Sequence, residues 1–168
     1  MKTTDPTGDL LIEGDTGTVR MDDLYPTHAE DLWEAITSPD RVARWLGTVT
    51  GDLRRGGVVQ MSLVSGWTGP ARIEACDPPY HLSLLANPGG DDETRMQATL
   101  TSEGDATRLR IEESGFSIDA LPFHGSGWQV HTEDLRAHLE ARPAGDWQTR
   151  WKELTPAYQE MARARLAD

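Results

Sequence analysis

The feature that most constrains the fold is a run of six short segments in which apolar and polar side chains alternate. The segments cover residues 48–53, 58–64, 69–76, 80–86, 94–102 and 106–114, and turn residues such as Arg55-Gly56-Gly57 and Asp77-Pro78-Pro79 separate them. A period of two predicts strands, and connections this short predict neighbouring strands that run antiparallel. The run therefore predicts an antiparallel meander that has one face to bury.

Two more strands and two short helices are predicted before this meander. Residues 10–12 and 18–25 form the strands. Thr27 and Glu30 have the spacing of a capping box, so we expect Thr27 to cap the first helix. Ser38-Pro39 predicts the start of the second helix, because proline is favoured in a first helical turn, and Gly47 can end it.

Helical periodicity returns after the meander. A long helix is predicted over 126–142, with Ser126 or its neighbours as the cap and residues 117–125 as a loop, and this helix is the natural cover for the sheet. Beyond a hinge at 142–145, an apolar stripe predicts a last helix, interrupted or recapped at Thr155-Pro156. We expect one domain over 1–168, with its core at 17–142 and an extra C-terminal helix at 146–166.

Composition narrows the classes of partner. The net charge of −12 over 168 residues argues against a nucleic-acid or anionic-membrane partner. No apolar run approaches the roughly 20 residues that span a bilayer, and the N-terminal residues lack the apolar core of a signal peptide. The single cysteine, Cys76, fits a reducing compartment and is interpreted as a packing residue. These features predict a cytoplasmic protein.

The order of the pieces resembles the helix-grip fold of the START-like (SRPBCC) superfamily, and in particular its activator-of-Hsp-ATPase homologue (AHSA-type) branch. The pieces that carry the resemblance are 31–37, 38–46, 51–57, Cys76-Asp77-Pro78-Pro79, 107–111, Glu113-Ser114-Gly115-Phe116, and Gly127-Trp128 with Leu135 and Leu139. The resemblance implies an α+β fold in which a curved antiparallel sheet grips a long C-terminal helix and encloses an apolar cavity. It does not imply one activity, because members include ligand carriers, cyclases and co-chaperone domains.

Alternation and helical spacing indicate which side chains face that cavity. Leu109, Ile111 and Glu113 share one strand face, and His131 shares a helix face with Trp128 and Leu135. Glu113 and His131 could therefore form a carboxylate–imidazole pair that orients a ligand or transfers a proton, or only a structural hydrogen bond. Further candidates for the cavity are Met61, Leu63, Ile73, Met96, and His124 over its mouth, where Arg72 is a weaker candidate.

Three functions remain open on the sequence alone. The first is binding of a small hydrophobic molecule in the central cavity, and the second is a protein-interaction role like that of co-chaperones. The third is a cyclase- or hydrolase-like reaction that uses Glu113 and His131, although no residue is assigned as catalytic. The C-terminal stripe could also support a homodimer.

Cofactor and metal sites are not predicted. The sequence has no Gly-rich phosphate loop and no nucleophile elbow. His131 and His138 are seven residues apart, which places them two helical turns or about 10 Å apart, too far to bind one ion. We therefore expect neither a cofactor nor a metal.

Overall fold

The computed structural model describes residues 2–168 and consists of one sheet with four helices. In chain order the elements are β1 (Asp9–Glu13), β2 (Thr16–Tyr25), α1 (Ala29–Thr37), α2 (Pro39–Val42), β3 (Gly47–Gly51), β4 (Val58–Leu63), β5 (Thr68–Asp77), β6 (His81–Ala86), β7 (Thr94–Glu103), β8 (Ala106–Ser117), α3 (Leu121–Leu139) and α4 (Trp147–Leu166). Each predicted strand is present within a few residues of its predicted bounds, because alternation and turn chemistry agree along this part of the chain.

The strands form a single antiparallel sheet in the order β1-β2-β8-β7-β6-β5-β4-β3. Pairing follows the chain from β3 to β8, as a meander does, and β2 then pairs with β8 to add the N-terminal hairpin. Helix α3 lies on the inner face, and α4 packs on α3 and β1. The architecture is the predicted α+β helix grip.

Two bulges change the facing of side chains along the inner surface. Gly115, at a φ of +101°, lies where the register between β2 and β8 shifts, so Glu113 and Phe116 both face inward although they are three residues apart. A second shift in β5 places Ile73 and Cys76 on one face. Each bulge thereby adds an inward side chain that strict alternation would place outside.

Helix α1 begins differently from the prediction. It starts at Ala29 with His28 at the N-cap position, and the Thr27 hydroxyl donates to Asp31 Oδ2 at 2.6 Å. The predicted capping box with Glu30 is therefore wrong, because the Thr27 hydroxyl is hydrogen-bonded to the carboxylate of Asp31 instead.

The long helix starts five residues earlier than predicted. Leu121 is fully buried, and a Cβ on Gly17 of β2 would overlap its side chain, so the first turn of α3 is fixed by close packing on the sheet. Ser126 lies inside the helix, where its hydroxyl donates to the carbonyls of Pro122 and Phe123 instead of capping. The predicted loop at 117–125 is thus largely the start of α3.

Helix α4 covers the predicted range, but the predicted interruption at Thr155-Pro156 is absent. Asp146 caps it by accepting from the Thr149 amide at 3.0 Å. The helix passes through Pro156 without a break, and the Thr155 hydroxyl donates to the Trp151 carbonyl at 2.7 Å. The stripe considered for self-association packs within the chain, since Leu154 and Tyr158 are fully buried. No helix within residues 2–168 is both long enough and apolar enough to cross a bilayer.

Candidate functional site

The inner face of the sheet and the two long helices enclose a cavity of about 430 Å³, here called the aromatic cavity. From the strands and their turns it is lined by Leu63, Trp67, Ala86, Thr94, Met96, Glu113 and Phe116. From α3 and α4 it is lined by Phe123, His124, Trp128, His131, Trp147 and Trp151. Trp151 is fixed in place because its indole N–H donates to the Phe123 carbonyl at 2.9 Å. Aromatic rings therefore dominate the helical wall.

Glu113 supplies a carboxylate to this wall. Its Oε2 accepts from the Thr94 hydroxyl at 2.6 Å, and its Oε1 accepts from the indole N–H of Trp128 at 2.8 Å. Burial raises the pKa of the Glu113 carboxyl above its usual value, although the hydrogen bonds from Thr94 and Trp128 act in the opposite direction. A carboxylate has about four acceptor positions, and these two donors occupy two of them.

His131 lies on α3 and is almost completely buried among indoles. Its Nδ1 accepts from the Trp147 indole N–H at 3.3 Å, and its ring meets that of Trp128 edge-on with centroids 5.5 Å apart. Burial lowers the pKa of His131 to about 4, so the imidazole is neutral at pH 7. The predicted Glu113–His131 pair is replaced by two separate hydrogen bonds from indoles. Trp128 donates to the Glu113 carboxylate, and Trp147 donates to the His131 imidazole.

The mouth of the cavity is bordered by exposed side chains at the start of α3 and in the β6–β7 connection. His124 stacks on Phe116 with ring centroids 4.1 Å apart, and partial burial of the imidazole lowers its pKa. Asp91 and Asp92, in the β6–β7 connection, also line the cavity and are exposed. His124 is at the mouth, as predicted, but it belongs to a helical turn and not to a loop.

A second cavity, of about 390 Å³ and here called the apolar cavity, lies beneath α1 and α2 against β3–β6. Its lining includes Trp33, Val49, Met61, Ile73, Cys76 and Leu84. Met61 and Leu84 are two residues from Leu63 and Ala86 of the aromatic cavity, so the two spaces lie side by side on one face of β4 and β6. Burial raises the pKa of the Cys76 thiol, and neighbouring Asp77 adds to this.

The candidate residues divide among three environments. The aromatic cavity contains Leu63, Met96, Glu113, His124, Trp128 and His131, and the apolar cavity contains Met61 and Ile73. Leu109, Ile111 and Leu135 belong to the packed core and line neither cavity. Their facing follows from alternation, but other inner side chains cover them.

Arg72 does not lie at the mouth. It is on the outer face of β5, where its Nη2 lies 2.9 Å from Glu74 Oε1. Conversely, Trp147 and Trp151 line the cavity although neither was among the predicted cavity residues. The apolar stripe of α4 was the available signal, but it does not specify which surface the stripe covers.

A metal centre is not supported by the arrangement of side chains. Within the part of the chain that the structure describes, no group of three or more His, Cys, Asp or Glu side chains could hold an ion. His138 is engaged elsewhere, because its Nε2 accepts from Arg41 Nε at 3.1 Å.

Several solved structures have this architecture. CalU16 from Micromonospora echinospora matches with a TM-score of 0.75 and 24% identity over 94% of this chain and 97% of its own. MLL2253 from Mesorhizobium loti matches with a TM-score of 0.67 and 27% identity over 74% and 97%. DynU16, a protein of the dynemicin biosynthetic locus, matches with a TM-score of 0.70 and 25% identity over 80% of this chain and 51% of its own. No curated protein matches the sequence.

The family model described as activator of Hsp90 ATPase homolog 1-like protein matches residues 26–140. This part contains α1 to α3 and β3 to β8, so it includes the meander and the helix that it grips. Helix α4, which supplies Trp147 and Trp151, lies outside it. The chain belongs to the activator of Hsp90 ATPase homolog 1-like family, within the START-like (SRPBCC) superfamily.

Proposed function

We propose that this protein binds a small, mostly apolar molecule in the aromatic cavity. The observation that carries the proposal is a space of about 430 Å³ walled by indole, phenyl and imidazole rings, with one carboxylate on its wall. Ligand sites in proteins are typically concave, roughly 300–1,000 Å³ in volume, and mostly apolar with a few polar groups that fix orientation. The helix-grip fold is in general a ligand-binding fold, which supports this choice.

Polar groups on the wall would orient the ligand. Glu113 keeps spare acceptor positions, and Thr94 holds its carboxylate in one orientation. His124 at the mouth offers a second polar contact. The proposal includes a cytoplasmic location, which the single cysteine supports.

The contacts of His131 favour binding over acid–base turnover. A general base works best when its pKa lies near the working pH, whereas the pKa of His131 is lowered to about 4. Its Nδ1 is also occupied by the Trp147 N–H. We therefore interpret His131 as a positioning residue for Trp147.

The test is native mass spectrometry with organic extraction of the purified protein, applied to the wild type and two cavity-filling variants. Ala86→Phe places a ring in the aromatic cavity, and Cys76→Phe places the same ring in the apolar cavity. We expect Ala86→Phe to lose the bound molecule and Cys76→Phe to retain it. Thermal shifts with a library of apolar compounds provide a second measurement, because a ligand stabilises the state that it binds.

Two results would overturn the proposal. One is loss of the molecule from Cys76→Phe but not from Ala86→Phe, which would assign binding to the apolar cavity. The other is a wild-type protein that carries nothing and gains no thermal stability from any compound. That second result would favour the protein-interaction, co-chaperone-like alternative.

A further inference from the structure

The aromatic cavity carries negative charge without a positive partner. Three acidic residues line it, Glu113 on the wall and Asp91 and Asp92 at the mouth. Among the residues that the structure describes, neither lysine nor arginine lines this cavity. A ligand that enters therefore meets acidic side chains but neither lysine nor arginine, in a protein whose net charge is −12.

Glu113 is the enclosed member of this set. Both hydrogen bonds that it accepts come from neutral donors, the Thr94 hydroxyl and the Trp128 indole N–H. Its chain neighbour Glu112, on the outer face, instead pairs with Arg20 at 2.9 Å. Within residues 2–168, Glu113 forms no ion pair of this kind. A carboxyl group that is enclosed without a counter-charge tends to stay protonated, so a positive charge that keeps Glu113 ionised has to come from outside the described wall.

The imidazoles of the cavity do not supply that charge. Burial lowers the pKa of His131 to about 4 and also lowers the pKa of His124. Both rings are therefore neutral at pH 7. The positive charge that would complement Glu113 is absent from the described wall.

The indole rings of the wall, like the acidic side chains, favour a positively charged ligand. Trp147 and Trp151 stack with centroids 6.0 Å apart and planes at 18°, and Trp67 and Trp128 add two more indoles. The face of an indole is negative, and tryptophan is the best side-chain partner for a cation. The indoles and the carboxylate thus favour the same charge.

We propose that the ligand of the aromatic cavity is a cation, namely a small hydrophobic or aromatic amine whose ammonium group lies against Glu113 and the indole faces. This inference rests on the proposed function and adds the charge of the ligand to it. The acidic mouth and the negative protein surface would also attract such a molecule over a distance.

Three matched probes test the charge preference. Naphthylethylamine, naphthylethanol and naphthylacetate share the same ring system and differ in charge at the end of the side chain. Their affinities for the wild-type protein are measured by isothermal titration calorimetry at neutral pH. We expect the amine to bind about tenfold more tightly than the alcohol, which corresponds to a cation–π and ion-pair gain of about 1.4 kcal/mol. The carboxylate should bind most weakly.

Two variants locate the effect. Glu113→Gln keeps the shape of the side chain and removes its charge, and should abolish most of the advantage of the amine over the alcohol. Glu112→Gln removes the same charge from the outer face and should preserve that advantage. This variant controls for the effect of the protein's net charge on binding.

The outcomes separate this inference from the proposed function. If the alcohol or the carboxylate binds as tightly as the amine, the cavity binds ligands but the cation inference is wrong. If Glu112→Gln reduces the preference as much as Glu113→Gln does, the preference belongs to the overall field, and the role of Glu113 is overturned. If none of the three probes binds, the cation inference is overturned, whereas the proposed function is decided by the extraction and thermal-shift tests described above.

Discussion

The imidazole of His131 contributes to the pH dependence of this protein's stability. Burial lowers the pKa of His131 from 6.5 to about 4. Between these two pKa values the imidazole is protonated in the unfolded chain but not in the folded chain. This contribution to stability is therefore fully present above pH 6.5 and is lost as the pH falls towards 4. At 1.36 kcal/mol per pKa unit, the loss between about pH 7.5 and about pH 5 is about 2 kcal/mol.

We expect His131→Asn to reduce this pH dependence by about 2 kcal/mol, because asparagine does not titrate and keeps an acceptor for Trp147. The measurement is the free energy of unfolding in urea at both pH values for wild type and variant. His138→Asn, which removes a less enclosed imidazole, should change the slope less. Equal slopes in wild type and His131→Asn would contradict the assignment.

At the scale of elements, α4 connects the N-terminal segment to α3 through one polar network. The Tyr158 hydroxyl of α4 donates to Gln129 Oε1 of α3 at 2.6 Å and accepts from the Gly8 amide at 3.0 Å. Gln129 Oε1 also accepts from the Thr7 amide. The tyrosine ring is fully buried, so water cannot easily replace these bonds.

Tyr158→Phe should lower the free energy of unfolding by about 1–3 kcal/mol, because the Gly8 amide loses its acceptor in a partly buried site. Chemical denaturation of the variant measures this change. Tyr80→Phe removes the same hydroxyl from an exposed ring and should stay within about 0.5 kcal/mol of the wild type. A loss in Tyr80→Phe as large as that in Tyr158→Phe would contradict the role given to the network.

The elements differ in how far the sequence predicts them. Strand positions follow from local alternation and turn residues, which is why all eight were predictable. The start of α3 was not, because a glycine such as Gly125 is typical of a loop. In the structure a Cβ on Gly125 would overlap Tyr158 and Leu10, so that glycine permits close packing of α3 against α4 and β1. Such a contact depends on residues far away in the chain.

In the candidate site, too, the features set by local sequence patterns were predictable and those set by distant contacts were not. The inward facing of Glu113 on β8 followed from alternation with Leu109 and Ile111. Its donor, Trp128, was placed on the correct helix face, but the pairing with Glu113 depends on the depth at which α3 lies in the sheet. The contribution of Trp147 and Trp151 depends on the direction that α4 takes after the hinge, which no local pattern specifies.

For the molecule as a whole, sheet order makes the chain ends part of one structure. Pairing of β2 with β8 places residues 16–25 beside 107–117, and α4 packs on β1 and α3. We therefore expect one cooperative thermal transition, in which the calorimetric and van't Hoff enthalpies agree. Differential scanning calorimetry checks this, and a separate early transition for α4 would contradict the prediction of a single domain.

The concentration of indoles around one cavity has an optical consequence. Of the six tryptophans in the chain, Trp67, Trp128, Trp147 and Trp151 line the aromatic cavity. Indole emission responds to the polarity and to quenching groups in its immediate surroundings, and neighbouring indoles exchange excitation energy. Four of the six emitting side chains therefore border the space where the proposed ligand would enter, and we expect the tryptophan emission of the unlabelled protein to change when that space is filled.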